Sequence, residues 1–317
     1  MYDELIQVLS DGNFHSGQSL GDLLGVSRTA VWKHLRKLES YGLVLESVKG
    51  LGYRIPGGLE LLDISAINSA IAGTAKNRLT RLALLAEIDS TNSYIAALGD
   101  QGHGVVCLAE RQTGGRGRRG KTWVSPYGKN IYMSLGWSFE GGAAALEGLS
   151  LAVGIAVRRA FDGNDDLKLK WPNDILFDNR KLAGILLEMT GDPSGLCHLV
   201  IGIGVNVGML GENQADIDQP WADAKEICPF SRNDLVARIL NHIVPLLEDF
   251  GRGGFGQYLD EWHRHDACLG KPVTLITPAM SVEGIAMGVA ANGAIRIRSH
   301  EGEREYSGGE ISLRLST

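Results

Sequence analysis

The densest chemistry in the sequence is a run of glycines and cations. Within residues 105–128, VVCLAERQTGGRGRRGKTWVSPYG, Gly115, Gly117 and Gly120 let the backbone approach a ligand closely. Arg116, Arg118, Arg119 and Lys121 supply positive charge for a phosphate, or for charge that develops in a transition state. Two well-known patterns match here and are rejected. Residues 115–122 fit G-x-x-x-x-G-K-[ST] and the three glycines fit G-x-G-x-x-G, but both motifs need a helix directly afterwards to hold the phosphate on its N-terminus. Trp123, Val124, Ser125 and Pro126 follow instead and favour extended backbone. Trp123 can stack on a base. The same charges would also suit a solvated surface loop.

Three further groups stand at element ends. Asp89, Ser90, Thr91 and Asn92 open a helix that runs to 98, after a strand at 81–88, so hydroxyls and free N–H groups collect at one helix start; a simple cap reads the same way. A strand at 167–171 is interrupted by Pro172, Asn173 and Asp174, and residues 175–177 turn through Asp178 and Asn179 into a strand at 181–189. This gathers Lys170, Asn173, Asp174 and Lys181 near strand ends. Asp174 can hold magnesium or a ribose hydroxyl and Lys181 can neutralise a carboxylate or phosphate; a polar hairpin with a surface lysine is the plainer reading. Along 199–208, Val200, Gly202, Gly204, Asn206 and Gly208 share one face of a strand. Such a face requires another backbone or a flat ligand against it, and Asn206 is the hydrogen-bonder placed to read a purine edge. His263, His265 and Cys268 follow a helix at 254–263 with spacings that diverge around its axis, which argues against a metal cluster.

The chain that must position these groups has 317 residues, with 44% hydrophobic and 21% charged, an ordinary folded composition of two or three domains. Apolar stretches such as 149–157 are too short to span a membrane, and Asp3 and Glu4 stand where a signal peptide carries lysines, so a cytoplasmic protein is expected. Cys107, Cys197, Cys228 and Cys268 contain no C-x-x-C pair and suggest neither disulfides nor a zinc ribbon. Lys and Arg number 31 against 37 Asp and Glu, a net −6, which leans away from nucleic acid. That average is misleading. Residues 1–56 hold six acids and six bases, and 110–129 hold six bases against Glu110, a net +5, so the remainder carries −11, part of it in a loop at 211–226.

The first module reads as helices at 2–9 and 18–24, a Gly25-Val26 turn, and a third helix to about Tyr41, with Ser16 and Ser27 as caps and Gly42 as the stop. Ala30, Val31, His34, Leu35 and Leu38 form its inner face, while Arg28, Thr29, Trp32, Lys33 and Arg36 face outward as DNA-binding residues for a major groove. A hairpin about Lys49-Gly50 sits where a wing belongs; a protein-interaction unit is the rival. Pro56-Gly57-Gly58 is a linker. At the far end PVTLIT, VEGIAMGV, an Asn292-Gly293 turn, AIRIR and EISLR read as short strands.

DSTN at 89–92, GRGRRG at 115–120 with TW after it, KWPND at 170–174, RKLAGIL at 180–186 and GIGVN at 202–206, in this order, resemble the biotin-protein ligase family, in the form that joins the ligase to a biotin-operon repressor. The resemblance covers nearly the whole chain. It implies an α+β multidomain fold: a winged helix-turn-helix over 1–56, a catalytic α/β domain with mixed sheet related to class II aminoacyl-tRNA synthetases over 57–266, and an SH3-like β-barrel over 267–317. By the same resemblance Ser90, Thr91, Asn92, Gln112, Arg116, Gly117, Arg118 and Lys181 bind biotin, with Arg118, Arg119 and Lys181 catalytic. Gly115, Arg119, Trp123, Lys170, Asn173, Asp174, Asn206 and Arg314 surround ATP or the adenylate. The implied cofactors are ATP and magnesium, with biotinyl-5′-AMP as bound intermediate and corepressor. The implied partners are a biotin carboxyl carrier protein, operator DNA and a second copy of the chain in a liganded homodimer. A ligase whose first module does not repress, and a lipoate or octanoate ligase, share most of these features.

Overall fold

A computed structural model of the chain describes residues 2–191, 195–209, 217, 219–277, 280–307 and 311–315; most of the acidic run from 211 to 218, and Glu310, lie outside the described residues. The N-terminal head comprises α1 (Tyr2–Leu9), α2 (Gly17–Leu24), α3 (Arg28–Glu39) and the hairpin of β1 (Glu46–Val48) with β2 (Gly52–Arg54). Ser16 and Ser27 cap α2 and α3 by accepting from Ser19 N at 3.0 Å and Ala30 N at 3.3 Å. Val31, Leu35 and Leu38 pack with Leu5, Ile6 and Leu9, which leaves Arg28, Thr29, Trp32, Lys33 and Arg36 exposed on the opposite face. Trp32 is 46% exposed under the Arg36 guanidinium, 4.5 Å from its ring centre. Helix α3 stops at Glu39, short of Tyr41, because Ser40 Oγ donates back to Lys37 O at 2.6 Å and the N–H groups of residues 40–42 bond three residues back. Gly42 comes after that end, at φ +80°.

The central body contains α4 (Ile64–Ala70), α5 (Gly73–Lys76), β3 (Arg81–Leu85), α6 (Thr91–Ala96), β4 (Val105–Ala109), β5 (Ile131–Phe139), α7 (Leu149–Arg159), β6 (Leu167–Lys170), β7 (Asp174–Phe177), β8 (Arg180–Gly191), β9 (Cys197–Val205), α8 (Arg232–Gly253) and α9 (Leu259–His265). Its sheet runs β3-β4-β5-β9-β8-β7-β6, with β3 and β4 parallel and the other neighbours antiparallel. The two faces have different tasks. Leu199, Ile201, Ile203 and Val205 of β9 point into the core beneath the apolar residues of α7 and α8. The alternate residues, Gly202 and Gly204, face the other way, toward α6 and the glycine-rich loop.

The C-terminal part is an antiparallel sheet ordered β13-β12-β11-β10-β14, from β10 (Pro272–Ile276), β11 (Ser281–Val289), β12 (Ile295–Ser299), β13 (Gly302–Tyr306) and β14 (Ser312–Leu315). Strand β13, GEREY, escapes sequence reading because it is an edge strand of exposed residues with no apolar alternation. Trp171 Nε1 donates to Gly293 O at 3.0 Å and ties this sheet to the body. Among the described residues no helix is long and apolar enough to cross a membrane.

A buried ion pair joins the linker, the body and the root of the cationic loop. Arg232, capped into α8 behind Ser231, places Nη1 2.8 Å from Glu110 Oε2, with side chains 2% and 6% exposed. The same guanidinium donates to Glu60 O and Asn130 O, and Glu110 Oε1 accepts Leu62 N at 2.6 Å. Every charge in the cluster is thus both paired and hydrogen-bonded. Glu110→Ala would strand the Arg232 charge, and we expect it to lower the unfolding free energy by about 3–5 kcal/mol in chemical denaturation.

Candidate active site

The register of the sheet builds the site. Tyr132, Gly204, Gly184, Asp174 and Lys170 are successive Cα partners across β5, β9, β8, β7 and β6, and Ser134, Gly202 and Leu186 form the next row. Above these rows lies a cavity of about 930 Å³, lined on one side by the cationic loop and reached from the C-terminal sheet by Arg314. Ser90, Thr91, Asn92, Gln112, Arg116, Gly117, Arg118, Arg119, Trp123, Lys170, Asn173, Asp174, Lys181, Asn206 and Arg314 all line it. Gly115 does not. A Cβ there would meet Trp123 O at 2.5 Å, and Gly115 O accepts Trp123 N at 2.9 Å, so its missing side chain admits a backbone crossing beneath the loop.

The glycine face is filled from within the chain. A Cβ on Gly204 would fall 2.5 Å from the Trp123 ring, and one on Gly202 would fall 2.3 Å from Asn92 Oδ1. The expected backbone or ligand against this face is therefore two of the protein's own side chains, an indole and an amide, which only a strand without Cβ atoms can admit. The segment from Lys121 to Pro126 is extended, preceded by one 3-10 turn at Arg118–Gly120, so neither phosphate-loop motif has its helix.

At the α6 end, Ser90 occupies the N-cap position without a side-chain capping bond, and Ser90, Thr91 and Asn92 are all buried. Gln112 Oε1 accepts the Thr91 N–H at 2.9 Å, and Ser134 Oγ lies 2.7 Å from Thr91 Oγ1 and 2.5 Å from Asn92 Oδ1. Asn92 Nδ2 donates to Glu188 Oε2 at 2.7 Å, and Arg116 Nη2 reaches the same oxygen at 3.1 Å. Ser134 and Glu188 were not anticipated. Each carries a period-two signal: Ser134 shares parity with Tyr132 on β5, and Glu188 shares parity with Gly184 and Leu186 on β8.

Lys181 reaches the cavity through an irregularity. The β7–β8 register shifts between Ile175 and Leu176, so β8 carries an extra residue at Leu182 and Lys181 swings onto the face of Gly184, where a Cβ would lie 3.1 Å from Lys181 Cε. Its Nζ stands 2.7 Å from Asp174 Oδ1, both side chains 17% exposed, and 5.5 Å from the Trp123 ring centre. With Asp174 paired to an ammonium and no group of three or more metal-ligating side chains among the described residues, magnesium beside Asp174 would need phosphate oxygens of the nucleotide for most of its ligands. Asn173 Nδ2 donates to Ile185 O at 2.7 Å, and Asn206 Nδ2 donates to Lys181 O and Ala222 O at 3.1 and 3.2 Å. Those bonds engage the donors of the Asn206 amide, which also lines the cavity. Burial holds the Arg118 guanidinium below its usual pKa, with Asp174 offsetting that and Arg119 adding to it; an arginine so placed stays charged. His263, by contrast, pairs through Nε2 with Val289 O at 3.0 Å, away from any such cluster.

A biotin/lipoate A/B protein ligase family model matches residues 84–206, a helix-turn-helix domain model matches 3–54, and a biotin protein ligase C-terminal domain model matches 268–314. The bifunctional ligase/repressor BirA of Salmonella typhimurium is 39% identical over 314 residues, 98% of this chain and 96% of that protein. The chain belongs to the biotin-protein ligase family. The BirA of Escherichia coli is 38% identical over the same shares of both chains. The solved biotin protein ligase of Aquifex aeolicus in complex with biotin and ATP superposes with a TM-score of 0.65 at 30% identity, covering 75% of this chain and 100% of that one. In this member of the family the glycine wall sets the position of Trp123. Gly204→Ala should cost about 1–3 kcal/mol through overpacking and push the indole outward, seen as greater quenching of tryptophan emission by acrylamide; unchanged quenching would contradict the packing described.

Proposed function

We propose that the chain activates biotin with ATP to biotinyl-5′-AMP, transfers it to a lysine of a biotin carboxyl carrier protein, and represses transcription through its helix-turn-helix head as a liganded homodimer. The observation that carries this reading is the convergence of the α6 start, the cationic loop, the β6–β7 turn and the β8 bulge on one cavity. Its floor of Thr91, Gln112, Ser134 and Asn92 is a buried polar network. A ureido ring, with two N–H donors and a carbonyl, can add bonds to such a floor, whereas the dithiolane of lipoate brings no comparable hydrogen-bonding group, which favours biotin.

The chemistry follows from positioning and charge. Biotin's carboxylate attacks the α-phosphorus of ATP in line, the new carboxyl–phosphate bond forms as the bond to pyrophosphate breaks, and pyrophosphate leaves. No side chain need act as nucleophile. Lys181 and Arg118 sit where they can neutralise the carboxylate and the developing phosphoryl charge, while Arg119, Lys170 and Arg314 extend the positive lining toward the leaving group. Magnesium, which neutralises phosphate charge, enters bound to ATP rather than to a protein cage. In the second half-reaction the carrier lysine attacks the mixed anhydride and AMP departs, so the loop must exclude water in the interval.

Repression rests on the outward face of α3, where five side chains stand clear of the head's core. A neutral head attracts phosphate weakly, so two heads joined in a dimer serve better than one. Closure of the glycine-rich loop over the adenylate is the step that favours the dimer, which makes the adenylate the corepressor.

Lys181→Ala and Arg118→Gly should each lower biotin-dependent pyrophosphate exchange by about 10²–10³-fold, or release the adenylate prematurely; normal exchange with normal retention would refute the assignment. If lipoate rather than biotin drives exchange in the wild type, the substrate reading fails. Analytical ultracentrifugation should show stronger self-association with biotin and ATP than without, and an unchanged association constant would contradict the coupling.

A further inference from the structure

We propose that Glu188 is a positioning residue that latches the cationic loop onto the floor of the cavity by sharing one carboxylate oxygen between Asn92 and Arg116. The inference rests on the ligase reading for its kinetic consequences, though not for its structural one. Glu188 Oε2 accepts Asn92 Nδ2 at 2.7 Å and Arg116 Nη2 at 3.1 Å, so a residue of the rigid sheet joins one from the start of α6 to the first arginine of the loop.

Arg116 stands at the root of the loop's small hairpin: it bridges Thr122 across the strands, and Gly117 N donates to Lys121 O at 2.7 Å. Fixing its guanidinium therefore fixes the height of the whole turn above the cavity. On the floor side, Asn92 is held by Ser134 and pressed against Gly202, so the latch is anchored to two strands at once. The ion pair is half-exposed, with side chains 48% and 36% accessible, and such pairs add little to global stability. Its worth is local. The Arg116 charge is balanced by Glu188, so the pair serves to hold the loop over the cavity.

Glu188→Gln keeps an acceptor for Asn92 and removes the charge that holds Arg116. The loop carries trypsin sites at Arg116, Arg118, Arg119 and Lys121, of which the last three are kept in every variant below and report its opening directly. With biotin present the variant should be cut within 118–121 about fivefold faster than wild type, the opening expected from loss of one exposed pair, with cleavage elsewhere and the thermal midpoint unchanged. In pyrophosphate exchange the KM for biotin should rise about fivefold while kcat stays within about twofold, because the loss is one of closure rather than of chemistry. Arg116→Gln, which alters an exposed side chain and leaves the sheet intact, should open the loop to the same degree, and adding Glu188→Gln to it should change nothing further. Wild-type cleavage and KM in Glu188→Gln, or additive effects in the double variant, would overturn the latch. Faster cleavage with no biotin-dependent exchange even in wild type would overturn the ligase reading and leave the latch standing.

Discussion

Strand β9 gives up its side chains at Gly202 and Gly204, and the site exists because of that sacrifice. Two side chains from distant segments, Asn92 at the start of α6 and Trp123 after the loop, lie directly on the exposed backbone, at distances where any Cβ would collide. Neither could sit so deep against a strand of ordinary residues. Because Gly184 extends the same bare row onto β8, the Trp123 ring also comes near Lys181 and so near Asp174. The amide fixes the polar end of the cavity and the indole its middle. The loop between Gln112 and Trp123 is thereby tethered at both ends to one sheet. The opposite face of β9 shows the other half of the same economy: its branched residues carry the core under α7 and α8, so the strand can be stripped on one face without losing its anchorage.

Charge is handled in two ways in this fold. Deep charges are matched: Arg232 with Glu110 at the root of the loop, and Lys181 with Asp174 within the cavity. These pairs set geometry more than they add stability. The loop adds Arg116, Arg118, Arg119 and Lys121 to the lining of the same cavity, so positive charge is concentrated along one side of it. The head also touches this system. Tyr41, just beyond α3, stacks on Tyr127 at 5.8 Å, and the Arg111 guanidinium lies 5.1 Å from the Tyr41 ring centre. Residues flanking both ends of the loop thus rest on the DNA-facing module.

Much of this was legible in the chain before folding. Ser16 and Ser27 announced their helices by local capping chemistry, and Asp178-Asn179, both at positive φ, turned β7 into β8 as their small polar side chains permit. Trp123 to Pro126 correctly ruled out a helix after the glycine loop. The rest depended on contacts across long stretches of chain. Nothing near Glu188 points to Asn92, 96 residues earlier, and the bulge at Leu182 that re-aims Lys181 appears only once β7 is paired. At Gly115 the backbone crossing that its lack of Cβ permits was hidden, because it depends on where Trp123 returns. The occupants of the glycine face were also hidden, since a bare strand states that something flat must approach without naming it.

If activation occurs by positioning and electrostatics in one cavity, no covalent bond forms between the substrate and the enzyme. Mass spectrometry of the protein after incubation with biotin, ATP and magnesium tests this directly when run under native and denaturing conditions in parallel. The account predicts a complex heavier by one biotinyl-adenylate in the native spectrum, and the unmodified chain mass once the protein is denatured. An acyl or adenylyl adduct that survives denaturation and accumulates as fast as the adenylate would contradict it.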